Sequence, residues 1–147
     1  MAYFTYDTSV IIARRPIDLR PKRGGLVLSS VVLMELTASA VDDSQRKNYE
    51  FLFREHEQND SLIVPNDNDW FFASKVLFWL ARRRRKVQGG RLYRLQPGMA
   101  QRMAFDALLA ASARSRQVAV ITDNWNDFKA IQCFCNVKLI KGSDFFR

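Results

Sequence analysis

Residues 118–128 read VAVITDNWNDF, and the fold turns on that stretch. Val118 to Ile121 is a run of four apolar, mostly β-branched residues, too short for a helix and suited to a strand buried on both faces. It stops abruptly at Thr122, Asp123, Asn124 and Asp127, residue types that serve turns and helix caps. Working outward, the same alternation recurs. Ala2 to Tyr6 reads as a strand ending at Asp7-Thr8-Ser9, followed by a helical turn from Val10 to Ala13. Leu26 to Leu28, Leu62 to Val64 (stopped by Pro65) and Val137 to Ile140 supply further short strands. Helices are predicted for Val31 to Ala40, capped by Ser29 or Ser30, and from Asp42-Asp43 to about Gln58. Others run from Asp67 or Asp69 into Lys86, from Met99 to Arg116 and from Asn126 to Gln132. Strands alternating with helices predict an α/β domain with a central, mainly parallel sheet. Pro16 and Pro21 mark one irregular loop, and Val87 to Pro97 a second that is not a domain boundary, so residues 1–147 are expected to form one domain.

Composition narrows the function classes. Apolar residues make up 48% of the 147 and charged residues 26%, which excludes disorder and low-complexity architectures. A net charge of +8 suits a polyanionic partner. Cys133 and Cys135 are too few and too close for a disulfide framework, and the lone His56 excludes a zinc site built from several histidines. No apolar segment reaches the ~20 residues of a membrane span, and the N-terminus lacks the basic start of a secretory signal. A soluble, cytoplasmic protein without membrane attachment is expected.

The acids are the informative residues. Glu35 lies within SSVVLMELTASA with no Lys or Arg at its helical neighbour positions. Asp106 lies within QRMAFDALLAASA, where aspartate is a mediocre helix former. Arg102 is available as a surface partner, and the small Ala110 and Ala113 leave room for an ion on the same face. Asp7 closes the first strand, and taken alone it reads first as a helix N-cap. In parallel α/β sheets, however, ligands gather at the carboxyl ends of strands. Asp7 and the TDNWNDF acids would meet there, with Glu35 and Asp106 reaching the same edge from adjacent helices. Carboxylates so gathered need a counter-charge, and an all-oxygen set suits Mg²⁺ or Mn²⁺.

The ordered set YDTS, SSVVLMELTAS, FDALLAASA and VITDNWNDF, spread over nearly the whole chain, resembles the PIN domain, especially its VapC-type toxin endoribonucleases. The resemblance implies a three-layer α/β/α fold and a metal-dependent ribonuclease that leaves 5′-phosphate and 3′-hydroxyl ends. By that pattern Asp7, Glu35, Asp106 and Asp127 match the acidic quartet, Thr8 or Ser9 and Thr122 the supporting hydroxyls, and Asn124 the polar residue of the last motif. Asp123, where many relatives carry Asn or Arg, leaves open whether it or Asp127 is the fourth acid. The implied cofactor is Mg²⁺, with Mn²⁺ as the alternative. Implied partners are RNA, a cognate antitoxin and a second copy of the chain. Two other readings stay open: a PIN-type nuclease for RNA maturation outside a toxin system, and a non-catalytic, basic RNA-binding module.

An acidic site needs nearby cations to hold a polyanion. Candidates are Arg14, Arg15, Arg20, Lys22 and Arg23 in the first loop, and the run Arg82, Arg83, Arg84, Arg85 and Lys86 at a helix end. Trp125, beside the acids, suits either base stacking or packing on the sheet. The aromatic segments Tyr49 to Phe53 and Trp70 to Trp79 read mostly as core, with a remainder of apolar surface for a partner.

Overall fold

The computed structural model describes residues 2–19, 24–87 and 97–147, with side chains except at 17, 83–87 and 97–102. The second predicted loop and Arg20, Lys22 and Arg23 lie mainly or wholly outside the described residues. The elements are β1 (Tyr3–Tyr6), α1 (Thr8–Ala13), a 3₁₀ turn (Pro16–Leu19), β2 (Gly25–Leu26), β3 (Leu28–Ser29), α2 (Ser30–Ala38) and α3 (Asp43–Gln58). They continue with β4 (Leu62–Ile63), α4 (Asp67–Val87), α5 (Pro97–Ser115), β5 (Ala119–Thr122), α6 (Trp125–Gln132), β6 (Leu139–Lys141) and α7 (Gly142–Phe145).

Four strands form a parallel sheet in the order β2-β1-β5-β6, and β3 pairs in parallel with β4. Strands β1 and β5 are the central pair, registered Phe4 to Ala119, Thr5 to Val120 and Tyr6 to Ile121. The larger layer packs Val32, Leu36, Val76, Leu109, Val120, Phe128 and Ile131 between the sheet and α2, α4, α5 and α6. On the other sheet face Phe4, Tyr6, Ala119 and Ile121 meet Val10 of α1, with Leu19, Phe145 and Phe146 closing over them. No helix among the described residues is long and apolar enough to cross a membrane.

Local chemistry explains the helix boundaries. The Ser29 hydroxyl accepts from the Val31 amide and the Asp42 carboxylate from the Gln45 amide, each relieving an unpaired first-turn donor. At the start of α4, Asn66 and Asp69 cap reciprocally: Asp69 accepts from the Asn66 amide (3.0 Å) and Asn66 from the Asp69 amide (2.9 Å). Arg116 Nη1 donates to the same buried Asp69 (3.0 Å), while Nη2 reaches Val64 O (2.6 Å). Burial opposes the Asp69 charge, but the Asn66 amide and Arg116 outweigh it and lower its pKa. Asp69→Ala removes a cap and one acceptor of the Arg116 guanidinium, which keeps Val64 O, so urea unfolding should show a loss of about 1–2 kcal/mol. A change below about 0.5 kcal/mol would contradict this account of the clasp.

Several expectations need correction. The strand predicted for Leu62 to Val64 covers only Leu62–Ile63; Ile63 is buried, Leu62 is half-buried and Val64, past the strand, is exposed. Ala110 and Ala113 open no space, because they are fully buried in the main core. The aromatic segments are not mostly core: Phe51 on α3 is exposed, and so are Trp70, Phe71, Phe78 and Trp79 on α4, where Ala73, Val76 and Leu80 already fill the inward face. Helix α7 had no counterpart in the expected elements.

Candidate active site at the ends of β1 and β5

Asp7 follows β1 directly, and its amide donates to Ile121 O (2.9 Å), extending the parallel pairing by one residue. That bond sets Asp7 beside Thr122, the last residue of β5. The chain leaves this central pair in opposite directions, toward β2 on one side and β6 on the other, which opens a crevice at the strand ends.

Hydrogen bonds join the expected residues across this crevice. Thr8 Oγ1 donates to Glu35 Oε1 (3.2 Å) and the Thr8 amide to Asp7 Oδ1 (2.8 Å). Asp7 Oδ2 accepts from Ser9 Oγ (2.7 Å) and Thr122 Oγ1 (3.0 Å). Thr122 Oγ1 accepts in turn from the Asn124 amide (2.9 Å). The Asn124 side-chain amide donates to Asp106 (3.3 Å) and to Asp127 (3.1 Å). One continuous chain thus runs from Glu35 on α2 through Asp7 and Thr122 to Asp106 on α5 and Asp127 on α6. Asn124 occupies the N-cap position of α6 and makes no side-chain cap bond; its side-chain nitrogen instead donates to the two acids.

The electrostatics follow from burial. Asp7 is 3% exposed and Asp106 6%. Burial pushes the Asp7 carboxyl above its ordinary range despite the hydrogen bonds from Ser9, Thr122 and Thr8. Burial also raises Glu35; the Thr8 hydroxyl opposes that rise and the neighbouring Asp7 charge adds to it. Neither Asp7 nor Glu35 forms an ion pair with a described residue. Asp7 and Glu35 are thus hard oxygen donors without a cationic partner among the described residues, which suits a divalent cation. Among the described residues, no three His, Cys, Asp or Glu side chains already converge closely enough to share an ion.

Asp123 stands outside this chain. It forms a two-pronged ion pair with Arg14, whose guanidinium also lies 4.5 Å from the Phe146 ring centroid. The Asp123 amide donates to Ser9 Oγ (3.2 Å), tying the pair to the rim. Gly142 makes the pair possible: a Cβ there would collide with Asp123 and come within 2.7 Å of Arg14 Nη2. The sequence reading missed both features, since Arg14 and Asp123 lie 109 positions apart and α7 begins inside an unremarked Lys-Gly-Ser.

The remaining predicted residues are dispersed. Arg15 pairs with Asp18 on open surface, and Arg82 lies over the Phe78 ring. The side chains of Arg83, Arg84 and Arg85 lie outside the described residues. Lys129 and Lys141 sit over the Trp125 ring, 5.6 and 5.1 Å from its centroid. Cys133 and Cys135 are free; burial pushes the Cys135 thiol up to about 11, which keeps it from acting as a thiolate.

No protein-family model and no curated protein matches the chain. Solved structures do. DNA-bound VapBC from Salmonella typhimurium is 18% identical, with 97% of this chain and 99% of that chain covered and a TM-score of 0.58. VapBC-1 from nontypeable Haemophilus influenzae is 22% identical, with 97% and 99% covered and a TM-score of 0.56. VapBC-5 from Mycobacterium tuberculosis, a toxin–antitoxin system, is 26% identical, with 96% and 99% covered and a TM-score of 0.50. Likeness over almost the full length of both chains shows the architecture, and this protein has a VapC-type, PIN-like fold.

Proposed function

We propose that the chain is a metal-dependent endoribonuclease and the toxin of a VapBC-type pair. The observation that carries this reading is the hydrogen-bonded chain linking Glu35, Asp7, Asp106 and Asp127 at the carboxyl ends of the central strands. A pure binding module gains nothing from buried acids facing a polyanion. The toxin assignment draws support from the similar structures, which are VapBC complexes, so an antitoxin is the expected partner, together with RNA and a second copy of the chain.

Asp7, Glu35, Asp106 and Asp127 would hold Mg²⁺ or Mn²⁺. Such an ion supplies a Lewis acid that lowers the pKa of water and offsets charge on the phosphodiester. The protein's own contribution is placement. Ser9 and Thr122 fix the Asp7 carboxylate, Thr8 orients Glu35, and Asn124 holds Asp106 and Asp127 at a common distance. Arg14 and Asp123 neutralise each other beside the crevice and brace the loop after β5 against α1.

Cleavage of a panel of RNAs with Mg²⁺ or Mn²⁺, and again with EDTA, tests the reading; equal activity in EDTA would overturn it. The same assay separates the two candidate fourth acids. Asp127→Asn should slow cleavage by about 10²-fold, whereas Asp123→Asn should leave it within about tenfold. Full activity in Asp127→Asn would remove that residue from the site.

A further inference from the structure

The positive charge of this chain is concentrated in one segment. Residues 70–105 contain nine of the 23 Lys and Arg and none of the 15 Asp and Glu, so they account for the entire net charge of +8. The rest of the chain is balanced to within one charge. Helix α4 opens that segment. Its inward series Asp69, Ala73, Val76 and Leu80 is buried, and two positions further on runs the exposed series Phe71, Lys75, Phe78 and Arg82. Both follow the same four-three-four spacing, so the two series lie on opposite faces of the helix.

On the outward face, rings and cations alternate. Phe71 is 64% exposed, with Lys75 Nζ 4.9 Å from its centroid; Phe78 is 52% exposed, with the Arg82 guanidinium 4.4 Å from its centroid. Trp70, one residue earlier and about 100° round the helix, is 58% exposed. The backbone stays helical through Arg83, Arg84, Arg85 and Lys86, so the basic run continues along the same rod. Core packing gives no reason for these rings to be there. A second copy of the chain is a poor occupant, because like faces would bring cation against cation. An apolar partner helix is equally poor, because a charge interrupts the seam at every second turn. Alternating bases and phosphates match the pattern: an aromatic ring stacks on a base of any sequence, and an adjacent cation meets the phosphate. Phe71 and Phe78 are ~10 Å apart along the helix, far enough to serve different nucleotides.

We propose that the outward face of α4 is a track for single-stranded RNA, with bases stacked on Trp70, Phe71 and Phe78 and phosphates held by Lys75 and Arg82. The proposal rests on the reading of this protein as acting on RNA, and it adds a binding surface apart from the linked acids.

The test is fluorescence anisotropy of the full chain with a labelled oligouridylate of about 20 nucleotides, in EDTA so that nothing is cut. Phe71→Ala/Phe78→Ala should weaken binding by about 100-fold, roughly tenfold per ring, with an unchanged thermal melt. Phe71→Tyr/Phe78→Tyr, which keeps both ring faces, should bind within about threefold of the parent. Lys75→Ala/Arg82→Ala should reduce the slope of log affinity against log salt by about 1.4. Unchanged affinity in the double alanine variant overturns the track. So does an equal loss for duplex RNA, or for a polyglutamate peptide, which would assign the face to an acidic protein segment. Because binding is read without the divalent ion, a chain that binds RNA here and cleaves none contradicts only the ribonuclease reading. A chain that cleaves yet binds equally well without the two rings contradicts only the track.

Discussion

Asp7→Asn should reduce RNA cleavage by about 10²–10³-fold while leaving the fold intact. Asp7 is the hub of the linked residues: one carboxylate oxygen accepts from the Thr8 amide, the other from Ser9 and Thr122. Asparagine fills the same volume and retains one acceptor oxygen, so the cap of α1 survives. The full negative charge is lost, however, and a buried amide is a weaker partner for a hard cation. Asp106→Asn should fall by a similar factor, since Asp106 shares the Asn124 amide with Asp127. Because these groups act as a unit, the double variant should be scarcely worse than either single one. Initial rates on one defined RNA check both expectations, and wild-type rates in both variants would remove the quartet from the chemistry.

Removing the divalent ion should have an effect as large, with a stability signature that depends on pH. Asp7 and Glu35 both have raised pKa values, chiefly from burial. In EDTA the folded protein therefore holds these two protons more tightly than the unfolded chain does. Their contribution to stability is fully present below the unfolded carboxyl pKa of about 4 and is lost as pH rises through the folded values. A divalent ion binds the ionised forms, so its stabilisation grows over the same window. Thermal melts should show Mn²⁺ raising Tm more at about pH 7.5 than at about pH 4.5. In EDTA, Asp7→Asn should lose less stability than the parent between those two values. An ion effect independent of pH would argue that it binds elsewhere.

Much of this arrangement was legible in the sequence because each piece conflicted with its surroundings. Glu35 among valines and leucines had no Lys or Arg at its helical neighbour positions, Asp106 sat in an alanine-rich helix that aspartate suits poorly, and both reach the crevice. Asp7 caps α1 with one oxygen and accepts from Ser9 and Thr122 with the other. The caps at Ser29 and Asp42 followed from residue type alone. What stayed hidden was long-range or directional. Nothing near Arg14 in the chain signals that Asp123 neutralises it, nor that Gly142 makes the room. The density of aromatic residues in α4 suggested burial, but a helix has only one inward face, and Ala73, Val76 and Leu80 already fill it. No spacing rule gives the orientation of the Asn124 side chain, which turns to Asp127 while Asp123 pairs with Arg14.

The central claim is that four carboxylates at one sheet edge share a divalent cation, and calorimetric titration with Mn²⁺ tests it most directly. The account predicts saturable binding by the wild-type chain. Affinity should fall at least about tenfold in each of Asp7→Asn, Glu35→Gln, Asp106→Asn and Asp127→Asn, and hold in Asp123→Asn. No binding by the wild-type chain, or equal affinity in all four variants, would contradict it.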